Sequence, residues 1–227
     1  MDATTQNARK LAAARAALRF VVPDAILGVG SGSTVNALIS LLRTSELNIR
    51  GAVAASETSA AALRLAGIAV LDLNEIDSLP VYIDGADEVD ADLCMIKGGG
   101  AALTREKILA HAATQFICIV DESKCVTRLG GFALPLEVLP MAVALTLRSI
   151  ERLGGTAQIR ADVITDNGNR IIDARGLDFS NPSALESDLN QWPGVLCNGV
   201  FARRRADILV CAGASGIVVT GREAAQP

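Results

Sequence analysis

The sequence predicts an α/β fold: a parallel sheet sandwiched by helices, with a smaller α+β domain inserted before the last strands. Three observations lead there. Half of the 227 residues are hydrophobic but only 3% are aromatic, so the core must be built from Ala, Val, Leu and Ile packed between layers. Short apolar runs bounded by Gly, Asp or Ser alternate with helical patterns over residues 25–120, the rhythm of parallel strands joined by crossover helices. That rhythm changes after about Gly130. The architecture is therefore Rossmann-like, with residues 1–130 and 204–227 expected in the main domain and 131–203 in the small one.

Taken in order, the chain opens on an amphipathic helix. Apolar residues from Leu11 to Val22 are interrupted at helical spacing by Arg15 and Arg19, which is not the pattern of a signal peptide. The expected strands and helices then run 25–29, 35–42, 51–55, 59–65, 68–73, 81–83, 103–113 and 116–120. Residues 25–42 are uncharged, but three glycines, Asn36 and several hydroxyls make them strand, loop and helix, not a membrane span. Right-handed crossovers place the strand C-termini along one edge, where open α/β sheets bind ligands. Beyond Gly130 come a strand at 134–138 and a helix at 141–153 ended by Gly154-Gly155. Two strand-like runs flank Asp166-Asn167-Gly168-Asn169, whose Asn-Gly pair signals a hairpin. A helix follows Asn181-Pro182-Ser183, and strands return at 195–201 and 208–210.

Composition also excludes several functions. The net charge is -4 and the only basic cluster is Arg203-Arg204-Arg205, so neither a nucleic-acid nor a membrane surface is expected. A small soluble substrate fits better. Five cysteines (Cys94, Cys118, Cys125, Cys197, Cys211) are widely spaced without a Cys-x-x-Cys pair, and His111 is the single histidine. That pattern argues against a disulfide framework or a zinc site and for thiols filling a core in a reducing, cytoplasmic compartment. With one histidine on a helix face, acid–base chemistry falls to carboxylates or lysines.

Three motifs offer chemistry. Gly28-Val29-Gly30-Ser31-Gly32-Ser33-Thr34 lies between a strand and a helix, where backbone N–H groups, the helix N-terminus and the hydroxyls of Ser31, Ser33 and Thr34 can hold a phosphate. It lacks the Gly-Lys-Ser/Thr of a Walker loop. The second strand closes on Ala54-Ala55-Ser56 without the acid of a dinucleotide site. The bland alternative is an ordinary tight turn. Tyr82-Ile83-Asp84-Gly85-Ala86-Asp87-Glu88-Val89-Asp90 brings four acids to a strand end, able to bind sugar hydroxyls, shuttle protons or hold a metal. Gly85 is second, not sixth, which rules out an EF-hand loop; composition leaves magnesium open, and a solvated acidic turn is the plain alternative.

The third motif is Lys97-Gly98-Gly99-Gly100-Ala101-Ala102-Leu103-Thr104-Arg105-Glu106-Lys107. Three glycines in a row are costly to order, so a close backbone approach is expected there. Glu106 falls in the first turns of the following helix, where an acid that merely favours the helix dipole is the simpler reading. Lys124 follows the next apolar run and should reach the same sheet edge, although a charge just past a strand is usually surface.

Taken together, these residues resemble the A-type ribose-5-phosphate isomerases. The matching stretches are residues 28–34, 56–59, 82–90, 96–107, 121–124, 134–140, 165–173 and 193–201, in order over nearly the whole chain. The acidic motif followed closely by the Lys-Gly-Gly-Gly motif is the specific part. The resemblance implies that Glu106 is the catalytic base, with Asp84, Asp87 and Lys97 around the sugar. It implies that Ser31, Gly32, Ser33, Thr34, Gly85, Ala86, Gly98, Gly99, Gly100, Lys124 and Lys10 hold the substrate or its phosphate. It also implies no cofactor, a sugar phosphate as partner, and a homodimer or tetramer; with no histidine or cysteine site and the acids assigned to proton transfer, no metal is expected. Two departures are Ser31, where members often carry threonine, and Cys197, where relatives often have glutamate.

On that reading Glu106 takes the C2 proton of the aldose and returns it to C1 through an enediolate, with Lys97 and loop N–H groups facing the oxyanion. Asp84 or Asp87 manages the hydroxyl proton and ring opening; the sequence does not separate them. An amino-sugar-phosphate deaminase or a lactonase would favour a histidine-assisted site. A sugar-phosphate sensor of a transcription regulator would need a helix-turn-helix, for which about twenty-five residues before the first strand are too few.

Overall fold

In the computed structural model, which describes residues 3–221, the chain begins with α1 (Ala3–Ala17), β1 (Ile26–Val29), α2 (Ser33–Thr44), β2 (Gly51–Ala54) and α3 (Glu57–Leu65). It continues through β3 (Leu79–Asp84), β4 (Glu88–Val89), β5 (Met95–Ile96), α4 (Leu103–Ala112) and β6 (Ala113–Asp121). Then come β7 (Leu134–Val138), α5 (Val143–Arg152), β8 (Thr156–Ile159), β9 (Arg170–Arg175) and α6 (Pro182–Asn190). The last strands are β10 (Val195–Asn198), β11 (Val200–Phe201), β12 (Ile208–Gly213) and β13 (Gly216–Gly221). These elements form two units. One contains residues 3–85, 108–125 and 206–221, the other 86–107 and 126–205. Residues 86–107, expected in the main domain, thus belong with the second unit, because β4 and β5 pair with each other and β5 pairs with β11.

The first unit is a six-stranded sheet in the order β13-β12-β6-β3-β1-β2. Five strands run parallel and β13 lies antiparallel on β12. Leu27, Val29, Ile83, Ile117, Ile119 and Val210 belong to one buried core, which is why these strands read as unbroken apolar runs. Helix α2 buries Val35, Leu38, Ile39 and Leu42, a stripe at helical spacing. Ala13, Ala14 and Ala17 do the same for α1 with smaller side chains. From β1 the chain first adds β2 on one side and then β3 on the other. Strand order therefore reverses between β1 and β3, and a crevice opens at their C-terminal ends. The run expected at 68–73 is not a strand: Val70 makes a single parallel bridge to Ala52, and Asp72 then turns the chain by accepting the Asn74 N–H at 2.8 Å.

The second unit holds an antiparallel sheet, β10-β7-β9-β8, and the small sheet β11-β5-β4. Leu134, Leu136, Val138, Ile172 and Ala174 enter a core with Ile150 of α5 and Leu189 of α6. On β9 and β10 the residues of the opposite face, Ile171 and Cys197, pack on Leu103 at the start of α4. The single strand expected at 195–201 is two, in different sheets. The break falls at Gly199, where a Cβ would sit 2.3 Å from the Lys97 carbonyl oxygen. The strands expected about the Asn-Gly turn, β8 and β9, do pair as an antiparallel hairpin, but through a long loop and not a two-residue one. β8 ends at Ile159, and residues 160–169 leave the ladder before β9 begins.

Candidate active site

In the first unit the candidate residues gather where β1 gives way to α2. Gly32 has φ +91°, left-handed backbone that favours glycine, and it hands the chain to Ser33, the first residue of α2. Gly32 has no side chain with which to cap the helix, and Gly32 and Ser33 are exposed with Ser31 and Thr34 half-buried. The first N–H groups of α2 and three hydroxyls therefore point the chemistry of this turn toward an anion. Behind the turn stands Asp84, fully buried at the end of β3. Its Oδ1 accepts the Ser31 N–H at 3.0 Å and the Gly85 N–H at 2.7 Å, while its Oδ2 accepts the Tyr82 hydroxyl. Gly30 makes this approach possible, since a Cβ there would lie 1.9 Å from the Asp84 carboxyl. Ser59 Oγ donates to the Gly30 carbonyl at 2.7 Å and completes the seat of the loop.

Lys124 ends the short 3-10 turn Glu122–Lys124 and is half-buried. Helix α1 flanks that turn. Arg9 pairs with Glu122, and Gln6 donates to Asp121 at 3.5 Å. Lys10, half-buried, is on the same helix.

The second unit carries the glycine loop. Gly98 has φ +107° and is closely packed, a Cβ there meeting Leu103 and Pro135 at 3.1 Å. Gly99 donates its N–H to Asp87 Oδ2 at 2.7 Å, so the loop and the half-buried Asp87 are tied together. Ala101 closes the turn with φ +61°, its N–H on the Gly98 carbonyl at 2.9 Å. Helix α4 then presents Glu106 from its first turn, 3% exposed, with the Lys97 ammonium 3.3 Å from its Oε2. Lys97 is itself 2% exposed. Its backbone N–H is held by the Gly199 carbonyl at 2.9 Å, and its ammonium lies 5.5 Å from the centre of the Phe201 ring. The structure thus brings Lys97 to Glu106, Asp87 to Gly99, and Asp84 to Ser31.

The four acids of the second motif do different work. Glu88 accepts the N–H groups of Gly130, at 2.8 Å, and Phe132, while Asp90 accepts those of Asp92 and Cys94 at 3.0 and 2.9 Å. These two build turns. Among the described residues no group of three or more His, Cys, Asp or Glu is placed to hold a metal ion, and no helix is long and apolar enough to cross a membrane. Burial pushes the Cys197 thiol up from its ordinary value, so this departure is a neutral group packed against Leu103. His111 is exposed.

Three residues about these motifs, Tyr82, Arg160 and Lys107, have no role among the sequence expectations. Tyr82 stands two residues before Asp84, so strand alternation alone puts them on one face. That signal was available. Arg160 pairs with Asp173 through two nitrogens and donates Nη1 to the carbonyls of Gly98 and Gly99 at 3.1 and 3.0 Å. Lys107, next to Glu106 in sequence, donates to Glu186 at 2.7 Å and to the Val200 carbonyl at 2.6 Å. No local pattern marks either pairing.

Comparison with known proteins shows the family. The family model for ribose 5-phosphate isomerase A (phosphoriboisomerase A) matches residues 51–216. A curated relative named ribose-5-phosphate isomerase A, from Legionella pneumophila (strain Lens), is 54% identical over 208 residues, which is 92% of this chain and 96% of that one. A crystal structure of ribose 5 phosphate isomerase A from Neisseria gonorrhoeae matches with a TM-score of 0.95 at 44% identity, covering 97% of this chain and 99% of that chain. A D-ribose-5-phosphate isomerase solved in complex with phospho-erythronic acid matches with a TM-score of 0.92 at 37% identity, over 98% of this chain and 100% of that chain. The expected parallel sheet flanked by helices is the fold of these structures, and in this chain it carries in addition the antiparallel edge strand β13. The chain is an isomerase and belongs to the ribose 5-phosphate isomerase A family.

Proposed function

We propose that the protein interconverts D-ribose 5-phosphate and D-ribulose 5-phosphate through an enediolate, with Glu106 as general base. The observation that carries this reading is the buried Glu106 carboxylate with the Lys97 ammonium 3.3 Å away, at the end of a glycine loop. The pair supplies both halves of the chemistry: a carboxylate to take the proton and a cation for the oxygen on which charge grows. Burial strengthens both, because little water screens them.

In the open-chain aldose Glu106 takes the proton from C2. The C–H electrons form the C1–C2 double bond, and the carbonyl electrons move onto O1, which Lys97 faces. A proton then passes from the C2 hydroxyl to O1, and as the O2 electrons form the C2 carbonyl the C1–C2 double-bond electrons take the proton back from Glu106 at C1, which gives the ketose. Gly99 already donates to Asp87 and Ala101 to Gly98, so the loop N–H groups assigned to the oxyanion are those of Gly98 and Gly100. The two candidate aspartates are assigned differently. Asp84 takes two backbone N–H groups and the Tyr82 hydroxyl, which suits it to holding the phosphate loop. Asp87 is half-buried and bound to Gly99 through Oδ2, which suits its Oδ1 to the ring hydroxyl proton. The phosphate is assigned to Ser31, Ser33, Thr34 and the N-terminus of α2, with Lys124 and Lys10 as counter-charges.

The test is turnover of ribose 5-phosphate by wild type and Glu106→Gln. Gln keeps the shape and removes the base, so kcat should fall about 10²–10⁴-fold with KM little changed. Exchange of the C2 hydrogen with solvent should fall in step. A folded variant with wild-type turnover would move the base to another residue.

A further inference from the structure

We infer that Glu137, through the turn at residues 165–169, is a positioning residue for the catalytic base; the inference rests on Glu106 being that base. Glu137 lies in β7 and is fully buried, yet every group that donates to its carboxylate is neutral. Oε1 accepts from the Thr165 hydroxyl at 2.7 Å, Asn169 Nδ2 at 2.9 Å and Asn167 Nδ2 at 3.1 Å. Oε2 accepts from the Thr104 hydroxyl and from Asn167 Nδ2 at 3.3 Å. A carboxylate offers about four acceptor sites, and four side chains fill them here. Packing does not require this. A buried charge without a counter-ion is costly, and an apolar residue would fill the same space more cheaply. What the carboxylate provides is direction.

The direction it sets leads to Glu106. Thr104 stands two residues before the base in the first turn of α4, and its hydroxyl is tied to Glu137. Arg105, between them, is tied to the same turn, donating Nε to Asn167 Oδ1 and Nη2 to the Asp166 carbonyl, both at 3.0 Å. The turn is itself rigidly built. Gly168, at φ +80°, donates to the Thr165 carbonyl at 2.8 Å, and Thr165 donates its N–H to the Asn169 carbonyl at 3.0 Å. Thr165 Oγ1 also accepts the N–H groups of Asn167 and Asn169 at 3.3 and 3.1 Å. The Asn-Gly motif that reads as a hairpin signal is thus a cradle of donors for one carboxylate. Below it, Cys197 and Ile171, the strand partners of Glu137, pack on Leu103. Residues 103, 104 and 105 are therefore all held on the sheet face from which Glu137 points. A base whose preceding turn is held this way keeps its distance to the substrate carbon, and a misplacement of about 1 Å can cost about 10²-fold in rate.

The experiment makes Glu137→Gln and Thr104→Val singly and together, and measures kcat, KM for ribose 5-phosphate and melting temperature on each preparation. Each single substitution should lower kcat about 10–100-fold per folded molecule while KM stays within about threefold. Because both cut the same link, the double variant should be no more than about twofold slower than the worse single one. Thr104→Ser, which restores the hydroxyl, should restore kcat. A purely structural Glu137 would lower the melting temperature and leave kcat per folded molecule at the wild-type value, and that result overturns the inference. Multiplying losses in the double variant, or no rescue by serine, overturn it as well. Should Glu137→Gln fail to fold, Thr104→Val carries the test, since it leaves three donors on the carboxylate. Glu106→Gln separates the two readings. If it abolishes turnover while the Thr104 and Glu137 variants run at the wild-type rate, positioning alone fails; if it turns over normally, the base assignment fails and takes this inference with it.

Discussion

Replacing Lys97 by methionine keeps the length of the side chain and removes the cation beside Glu106. Lys97 and Glu106 are 2% and 3% exposed, and their charged atoms are 3.3 Å apart. At an effective dielectric constant of about 20, unit charges at that distance attract by about 5 kcal/mol. Cutting a buried pair from one side typically costs about 3–5 kcal/mol, because the remaining charge stays buried. The two figures agree, so the stability loss should lie in that range. In a chain of this size each kcal/mol is worth about 2–4 °C, and Lys97→Met should melt at least about 6 °C below wild type. Replacing a buried pair on both sides is often nearly neutral. Lys97→Met with Glu106→Gln should therefore recover most of the loss, although it stays inactive. Thermal unfolding of the wild type, both single variants and the double variant, followed by circular dichroism near neutral pH, checks all four values together. The reasoning is refuted if Lys97→Met melts within about 2 °C of wild type, or if the double variant loses the sum of the two single losses.

Two further predictions concern the first unit and the thiols. Gly30→Ala puts a methyl group 1.9 Å from the Asp84 carboxyl, so Asp84 and the Ser31 turn must move. We expect a loss of about 1–3 kcal/mol, read from the urea midpoint, and a rise in KM for ribose 5-phosphate larger than the fall in kcat; an unchanged KM would detach this turn from the phosphate. Burial pushes the Cys94 thiol from an ordinary value of 9.0 up to about 11, and burial together with Cys125 pushes Cys211 up to about 12. In the native protein exposed Cys125 should alkylate first at pH 8, with Cys94 following only as the pH approaches about 11. The unfolded chain releases the Cys94 proton near pH 9 while the folded chain holds it to about 11, so its stabilisation is intact below pH 9 and lost as pH rises toward 11. Cys94→Ala should flatten that alkaline fall, and equal labelling of the thiols at pH 8 would contradict the assignment.

Much of the main sheet was legible because its strands are buried on both faces. Ile26–Val29 is buried at every position, and such a strand reads as an apolar run that nothing else explains. Helix α2 was legible for the complementary reason, a single buried stripe. Among the candidate residues, the glycines were legible where backbone geometry favours glycine, as at Gly32 and Gly98, both with positive φ. Strands β4, β5 and β11 were not legible, since each spans two residues and no period can show over that length. Their absence from the expectation is what misplaced residues 86–107. β13 escaped for another reason: all six of its residues are exposed, so its apolar positions face no core that would impose alternation.

The carboxylates mark the deeper limit. Asp84, Asp87, Glu88 and Asp90 share one motif, and nothing in their spacing says that Glu88 orders the Gly130 turn while Asp87 holds Gly99. Their roles are decided by which donors arrive from elsewhere in the chain. Glu137 shows the same point in its strongest form. In Leu134-Pro135-Leu136-Glu137-Val138 the alternation correctly puts Glu137 opposite the leucines, and for an antiparallel strand the usual reading of that face is solvent. Alternation, however, reports the face and not what covers it. Here the start of α4 and the Thr165–Asn169 turn cover it, through contacts that span 28 to 33 residues of sequence, and the face holds a buried cluster of hydrogen bonds. A polar residue on the predicted solvent face of a small-domain strand is therefore ambiguous until long-range pairing is known, and that pairing is what turns Glu137 from a surface charge into the support of the helix that bears Glu106.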